Sequence, residues 1–248
     1  MKSPIFIGAA ALVLSFQAQA QAYVVNAAGR IWRQKTYMGG WENMPGGAKA
    51  IACNARGTLY IVGTDSGIYL WGEGGAYWYQ LDGGAKRVAV DLNGDPWVIN
   101  DANELFQRVR DKWVKKPGSA QDIAIDGTTG DVYLIGTKVA RGGFALYLLN
   151  RKTNVLEDQN CGGVRVAAFN GSPEVVTDEG RLIQLTGRQW VEDKSAPPAV
   201  DLAWGSQGKF LVAQATWNGT PDRLLYAYDP VNKKWFQLEG AGVAMAVK

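Results

Sequence analysis

The stretch that decides the fold is residues 41–53, which read Trp41-Glu42-Asn43-Met44-Pro45-Gly46-Gly47-Ala48-Lys49-Ala50-Ile51-Ala52-Cys53. Its last three residues are one of six triplets in which a bulky apolar residue precedes Ala and, usually, a second apolar residue. The others are Val88-Ala89-Val90, Ile123-Ala124-Ile125, Val166-Ala167-Ala168, Leu202-Ala203-Trp204 and Met245-Ala246-Val247. The central alanines are 37, 35, 43, 36 and 43 residues apart, which indicates a repeat architecture.

Each repeat predicts four short antiparallel strands. In the clearest unit the apolar runs 48–53, 58–62, 68–71 and 78–81 are separated by Gly, Asn and Asp. A four-stranded antiparallel meander that recurs around an axis is a β-propeller blade, and alternating large and small residues fit the tapered centre. The recurring tryptophans are interpreted as blade packing: Trp41, Trp78, Trp113, Trp190 and Trp235.

The chain ends predict how the ring closes. Residues 23–25, 31–32 and 41 resemble the last three strands of a blade, with no innermost strand before them. Residues 242–248 resemble an innermost strand with nothing after it. The fold class is therefore predicted as all-β, a six-bladed propeller of four-stranded antiparallel blades over residues 23–248, in which the C-terminal strand pairs with the N-terminal strands.

The N-terminus predicts export. Lys2 precedes an apolar run from Ile5 to Phe16 and then an Ala-Gln alternation, as in a secretory signal peptide. We assign residues 1–20 to it, with cleavage possible up to residue 22. About 12 apolar residues are too few to span a bilayer, where roughly 20 are needed. The mature protein is expected to be secreted, extracellular or periplasmic, without a transmembrane segment.

Composition excludes several chemistries. The 248 residues contain no His, which removes Ser/His/Asp and Cys/His nucleophile pairs and most zinc sites. The formal net charge of +3 falls to +2 without Lys2, which is too small to favour nucleic acid. Asp91-Leu92-Asn93-Gly94-Asp95 begins like a calcium loop, but its twelfth position is Ala102, so a hairpin turn is favoured. No metal and no cofactor are predicted.

The repeat resembles the tectonin repeat. The resemblance rests on residues 41–52 and on their continuation through Gly57-Thr58-Leu59-Tyr60-Ile61-Val62 and Gly67-Ile68-Tyr69-Leu70-Trp71. It covers essentially the whole mature chain and is strongest in the first two units. Tectonin-type proteins, similar to horseshoe-crab and fish-egg lectins, are six-bladed propellers that bind bacterial lipopolysaccharide or surface glycans without catalysis. The resemblance thus implies a carbohydrate-binding protein and no enzyme.

Two surfaces contain candidate ligand-binding residues. The turns between the second and third strands repeat amide or carboxylate residues beside apolar strands, which suits hydroxyl groups and stacked sugar rings, although hairpin geometry alone also favours such residues. These candidates are Asn26, Asp65, Asn103, Asp178 and, on a longer loop, Trp217. The turns between the third and fourth strands are basic, and Lys233 and Lys234 are their candidates for phosphorylated or acidic glycan, unless they are only solvated loop charges.

Two other function classes remain open. Propeller loops also bind proteins, so a scaffold subunit of a secreted or envelope assembly is the main alternative. A sialidase needs no histidine, but nothing groups three arginines around one tyrosine, and the repeat Ser-x-Asp-x-Gly-x-Thr-Trp is absent.

Overall fold

In a computed structural model of the chain, the structure describes residues 22–36, 39–72, 74 and 77–248. These residues form 22 strands, and no helix occurs among them. The predicted all-β class is therefore confirmed. The predicted signal peptide lies outside the described residues, except that Ala22, the last cleavage site considered, begins the first strand.

The strands of the first half are β1 Ala22–Val25, β2 Arg30–Thr36, β3 Gly39–Cys53, β4 Leu59–Gly63, β5 Gly67–Trp71, β6 Trp78–Gly84, β7 Arg87–Val90, β8 Pro96–Ile99, β9 Glu104–Val109, β10 Lys112–Ile125 and β11 Val132–Ala140. Those of the second half are β12 Gly143–Asn150, β13 Val155–Gly163, β14 Arg165–Phe169, β15 Ser172–Val176, β16 Leu182–Thr186, β17 Gln189–Glu192, β18 Ala199–Gly205, β19 Gly208–Thr216, β20 Arg223–Asp229, β21 Lys234–Gly242 and β22 Ala244–Val247.

The strands form four sheets. Two have seven strands, in the orders β22-β1-β2-β3-β4-β5-β6 and β13-β12-β11-β10-β9-β8-β7, and two are the four-stranded meanders β14 to β17 and β18 to β21. The two seven-stranded sheets arise because β3 and β10 are each shared by two successive meanders. The sequence predicts that residues 39–53 contain the fourth strand of one unit and the first strand of the next unit. In the structure they form one continuous strand, β3, whose first part pairs with β2 and whose last part pairs with β4.

The first and the last of the described strands pair with each other. β22 lies antiparallel to β1, with Ala22 opposite Val247 and Val25 opposite Ala244. All four residues of β1 and all four of β22 are buried. The predicted pairing of the C-terminal strand with the N-terminal strands is therefore present.

The six triplets line one shared cavity, which we call the channel. The strands that contain the triplets contact one another in a cyclic order: each contacts the next in the series β22, β3, β7, β10, β14 and β18, and β18 contacts β22. The channel has a volume of about 110 Å³ and is lined by the six triplets. Its alanines are needed because six strands converge there and large side chains from all of them would collide.

Charged side chains directly precede four of the triplets. Arg87 Nε lies 3.3 Å from Asp122 Oδ1, and Arg165 Nε lies 3.5 Å from Asp201 Oδ1. The second oxygen of each aspartate accepts a backbone N–H from a neighbouring inner strand, that of Val166 for Asp122 and that of Met245 for Asp201. Burial raises the pKa of Asp201, and the nearby arginines oppose that rise. These pairs tie adjacent inner strands together at the start of the channel.

Candidate functional site

A groove with three tryptophans lies where the last meander meets β1 and β2. It has a volume of about 270 Å³. Its lining includes Trp32, Trp41, Trp217, Asn26 and Asp222. We call this site the tryptophan groove. Two residues predicted from the sequence, Asn26 and Trp217, therefore lie in one site.

The wall at β1 and β2 is fixed by a turn. Asn26 Oδ1 accepts the backbone N–H groups of Ala28 at 3.1 Å and Arg30 at 2.8 Å. Asn26 therefore stabilises the turn geometry, which is the alternative to ligand binding that the sequence analysis gives for residues of this kind. The amide nitrogen of Asn26 has no partner among the described residues and remains free to donate a hydrogen bond to a ligand.

The opposite wall is the loop at residues 217–222, which we call the flap. Its ends are joined by the Trp217 N–H, which donates to the Asp222 carbonyl at 2.7 Å. The flap is held against the first hairpin because Asp222 Oδ1 accepts the Ala27 backbone N–H at 2.5 Å. Asp222 Oδ2 has no partner in the described part of the chain. The flap therefore brings an indole and a carboxylate oxygen to the groove.

The floor of the groove is a contact between neighbouring units. Trp41 Nε1 donates to the Glu239 carbonyl at 2.7 Å, and the ring lies against Gly240. Gly240 has φ +89°, and a Cβ there would lie 2.7 Å from Trp41 Nε1. Glycine is required because the position has both a positive φ and an indole in van der Waals contact.

This contact recurs around the molecule. Trp78 Nε1 donates to the Pro45 carbonyl and Trp113 Nε1 to the Asp82 carbonyl, in each case just before a positive-φ glycine of the preceding unit. The interpretation of these tryptophans as packing residues is therefore correct. The ring of Trp41 also lines the tryptophan groove, so this residue both packs between units and faces the cavity.

The donors left over define the chemistry of the groove. Among the described residues, the indole N–H groups of Trp32 and Trp217 have no acceptor. All three groove tryptophans are partly exposed. Apolar ring faces with free N–H groups at their edges, beside a free carboxylate oxygen, can bind a ligand that has one apolar face and several hydroxyl or amide groups.

The other predicted turn residues lie outside the groove. Asp65 Oδ2 accepts the Tyr69 hydroxyl at 2.6 Å, and this hydrogen bond holds the pKa of Asp65 below its usual value. Asn103 has φ +64° and accepts a hydrogen bond from Lys86. Asp178 is exposed, with its backbone N–H bonded to the Gly142 carbonyl. Each occupies a separate turn between the second and third strands of its own unit.

The two predicted lysines lie at the other end of the last hairpin. Lys233 and Lys234 are exposed at the turn from β20 to β21, whereas the groove adjoins the opposite ends of these strands. A seven-residue strand spans roughly 23 Å. The groove and the basic turn therefore cannot contact one sugar residue together.

A buried ion pair lies between the last two meanders. Lys209 Nζ is 2.5 Å from Glu174 Oε1, and the two side chains are 11% and 1% exposed. The ammonium also lies 4.3 Å from the ring centroid of Trp204 and 5.2 Å from that of Tyr228. Glu174 Oε2 has no hydrogen-bond partner among the described atoms. Burial raises the pKa of Glu174, and Lys209 counteracts part of that rise.

Metal ligands and membrane-spanning helices are the two remaining features that bear on the site. Within the described ranges, no three acidic or cysteine side chains converge as metal ligands. In the same ranges no apolar helix reaches the length that a bilayer crossing requires.

Sequence comparison identifies no relative. No protein-family model matches the chain, and no curated protein matches it. The resemblance to tectonin repeats thus has no support from a family match.

Structure comparison does find similar folds. A structure of YCF48 bound to a D1 peptide matches with a TM-score of 0.55 and 13% identity, over 90% of this chain and 79% of that one. A Bacteroides uniformis protein provisionally named a 6-phosphogluconolactonase matches with a TM-score of 0.52 and 12% identity, over 91% and 83%. PorZ of Porphyromonas gingivalis matches with a TM-score of 0.49 and 10% identity, over 88% of this chain and 32% of that one. At these identities the likeness shows the fold alone, which is β-propeller-like.

Proposed function

We propose that this protein is an exported, non-catalytic, carbohydrate-binding β-propeller that recognises microbial surface glycan or lipopolysaccharide through the tryptophan groove. The observation that supports this most is that Trp32, Trp41 and Trp217 meet in one groove, where two of the indole N–H groups have no acceptor in the described part of the chain. A pyranose ring has an apolar C–H face that stacks on indole and an edge of hydroxyls that exchange hydrogen bonds with N–H and carboxylate groups. The groove offers both kinds of contact within about 270 Å³.

The proposed architecture is a closed ring of six blades, of the kind found in tectonin-type proteins. Its supports are the cyclic order of contacts among β22, β3, β7, β10, β14 and β18 and the pairing of β22 with β1. Export is proposed from residues 1–20, with cleavage after Ala20. That position is favoured because Ala22 is fully buried and pairs with Val247 in the folded protein.

The test compares two surface variants on one glycan array and on a lipopolysaccharide column. Trp217→Ala removes one ring of the groove, and Lys233→Ser/Lys234→Ser removes the basic turn. We expect the first to lose retention at any salt concentration and the second to behave as the wild type. Val231→Ala serves as the control, because Val231 is 85% exposed beside the basic turn and far from the groove.

The opposite pattern would assign binding to the basic turn. In that case the lysine variant loses retention and moderate salt elutes the wild type, because exposed charges are screened over about 8 to 10 Å. Absence of retention by the wild-type protein on every glycan would show the carbohydrate proposal to be wrong.

A protein-binding scaffold is the second candidate. It is favoured by one observation, that the similar propeller YCF48 has been solved with a bound peptide. Recovery of one stoichiometric protein partner with the wild type, together with no glycan retention, would support this function instead.

A further inference from the structure

The flap contains an asparagine–glycine pair whose chemistry the proposed function does not use. The chain has three such pairs, Asn93-Gly94, Asn170-Gly171 and Asn218-Gly219. In any such pair the glycine backbone nitrogen can attack the asparagine side-chain carbonyl, because glycine has no Cβ to obstruct the approach. All three asparagines are exposed, so exposure alone does not distinguish them.

The attacking nitrogen does distinguish them. The Gly94 N–H donates to the Asp91 carbonyl at 3.0 Å. The Gly171 N–H donates to Asp126 Oδ2 at 2.7 Å. The Gly219 N–H has no acceptor among the described residues. Attack requires that the amide leave its hydrogen bond, so two of the three pairs are protected by the fold.

The surroundings of the third pair also permit the rotation that the attack needs. A Cβ built on Gly219 would meet nothing within 4 Å. Gly94, by contrast, lies against the side chain of Thr58, and Gly171 lies near that of Thr129. Asn218 has φ +49° at the tip of the flap, where its side chain has no partner among the described residues. Exposed loop tips without packing contacts rearrange at little cost.

We propose that Asn218 is a site of spontaneous deamidation, and that it converts before Asn93 and Asn170 in the folded protein. The Gly219 nitrogen forms a bond to Asn218 Cγ, and the Cγ–Nδ2 bond breaks with release of ammonia, which takes up the amide proton. Water then opens the five-membered succinimide at either carbonyl, which leaves aspartate or isoaspartate. No electrons are transferred in either step.

The product alters the flap in two ways. A carboxylate appears on the same short loop as Asp222, so the flap then contains two negative charges that repel each other. In the isoaspartate product the main chain also gains one methylene, which shifts Trp217 relative to its partner Asp222. The modification therefore acts on one wall of the groove, whatever ligand that groove binds.

The experiment is incubation of the purified, folded mature protein at mildly alkaline pH, with peptide mass spectrometry at intervals. We expect the peptide with Asn218 to gain the mass of an amide-to-acid conversion first, as both isomers, while the other two peptides keep their amides. Gly219→Ala should slow that conversion, since its Cβ obstructs the attack. Conversion of Asn93 or Asn170 at an equal or higher rate would overturn the proposal.

A parallel incubation in concentrated urea tests the structural cause. Unfolding removes the hydrogen bonds of Gly94 and Gly171, so the three pairs should then convert at similar rates. If Asn218 still converts first in urea, its local sequence determines the preference, and the protection argument is wrong. Neither incubation involves a glycan, so the result does not depend on the proposed function.

Discussion

Replacing Lys209 by Met should destabilise the fold strongly, because it leaves a buried carboxylate without its counter-charge. The Glu174 side chain is 1% exposed, and among the described residues its carboxylate accepts a hydrogen bond only from Lys209. Removing one partner of a buried ion pair costs about 3 to 5 kcal/mol. Loss of the ammonium over Trp204 and Tyr228 adds about 0.5 to 2 kcal/mol.

The assay is urea and thermal unfolding of the wild type, Lys209→Met, Glu174→Gln and the double variant. For a chain of this size each kcal/mol lowers the melting temperature by about 2 to 4 °C, so the ion-pair cost alone predicts a fall of roughly 6 to 20 °C. The double variant should recover most of it, since it buries a neutral amide beside an apolar chain of similar volume.

The effect should also depend on pH. Burial raises the pKa of Glu174 above its unfolded value, so the folded state binds more protons and stability falls as the pH rises through that range. Without Lys209 this slope should steepen, and the deficit of the variant should shrink in acid. A single variant with wild-type stability, or a double variant no more stable than the single one, would refute this reasoning.

Three further predictions follow from backbone geometry, from strand pairing and from thiol burial. Gly240→Ala should destabilise the fold by about 1 to 3 kcal/mol through its positive φ, and further through contact of the new Cβ with the Trp41 indole. Gly187→Ala is the control, because Gly187 has φ +64° and nothing within 4 Å, so it bears only the backbone cost. Equal melting temperatures of the two variants would disprove the indole contact. Deleting residues 242–248 should lower the unfolding free energy by several kcal/mol, because burial of each large apolar side chain contributes about 1.5 to 3 kcal/mol. An unchanged urea midpoint would show that this strand contributes little. Partial burial raises the pKa of Cys53 to about 12 and that of Cys161 to about 11, so both thiols should alkylate slowly at pH 8, with Cys161 first. Rapid labelling of Cys53 would contradict the raised pKa of its thiol.

The inner strands were predictable from the sequence because their chemistry is local and repeated. Every central alanine lies on an inner strand, and the triplets line the channel together. A residue such as Ala203 occupies a position that the converging strands keep small, so alanine recurs on each of these strands. The pairing of β1 with β22 was predictable for a related reason, since each end lacked the strands that the other supplied.

The groove was only partly predictable, because it depends on a contact between distant parts of the chain. Trp217 was recognisable as a tryptophan on an insertion, but Asp222 enters the site through a hydrogen bond to Ala27, 195 residues away in sequence. Trp32 reads as an ordinary strand residue. No periodic pattern marks these two residues, since their role arises only when the flap folds over the first hairpin.

One signal in the sequence was missed. A glycine follows the tryptophan after five positions in four units, as in Trp41 and Gly46 or Trp235 and Gly240. The structure gives the reason: these glycines have positive φ, and several lie directly against an indole of the next unit. The fourth unit departs from the pattern, and there the side chain of Leu156 contacts Gly118 in place of an indole.

The pairing of β1 with β22 has a consequence for how the molecule is made. Among the described strands β1 is synthesised first, yet its inner partner β22, residues 244–247, is synthesised after all the others. Until then an apolar strand has an open hydrogen-bonding edge, which can pair with other chains. The first meander of the described chain therefore stays without its inner strand until β22 has been synthesised.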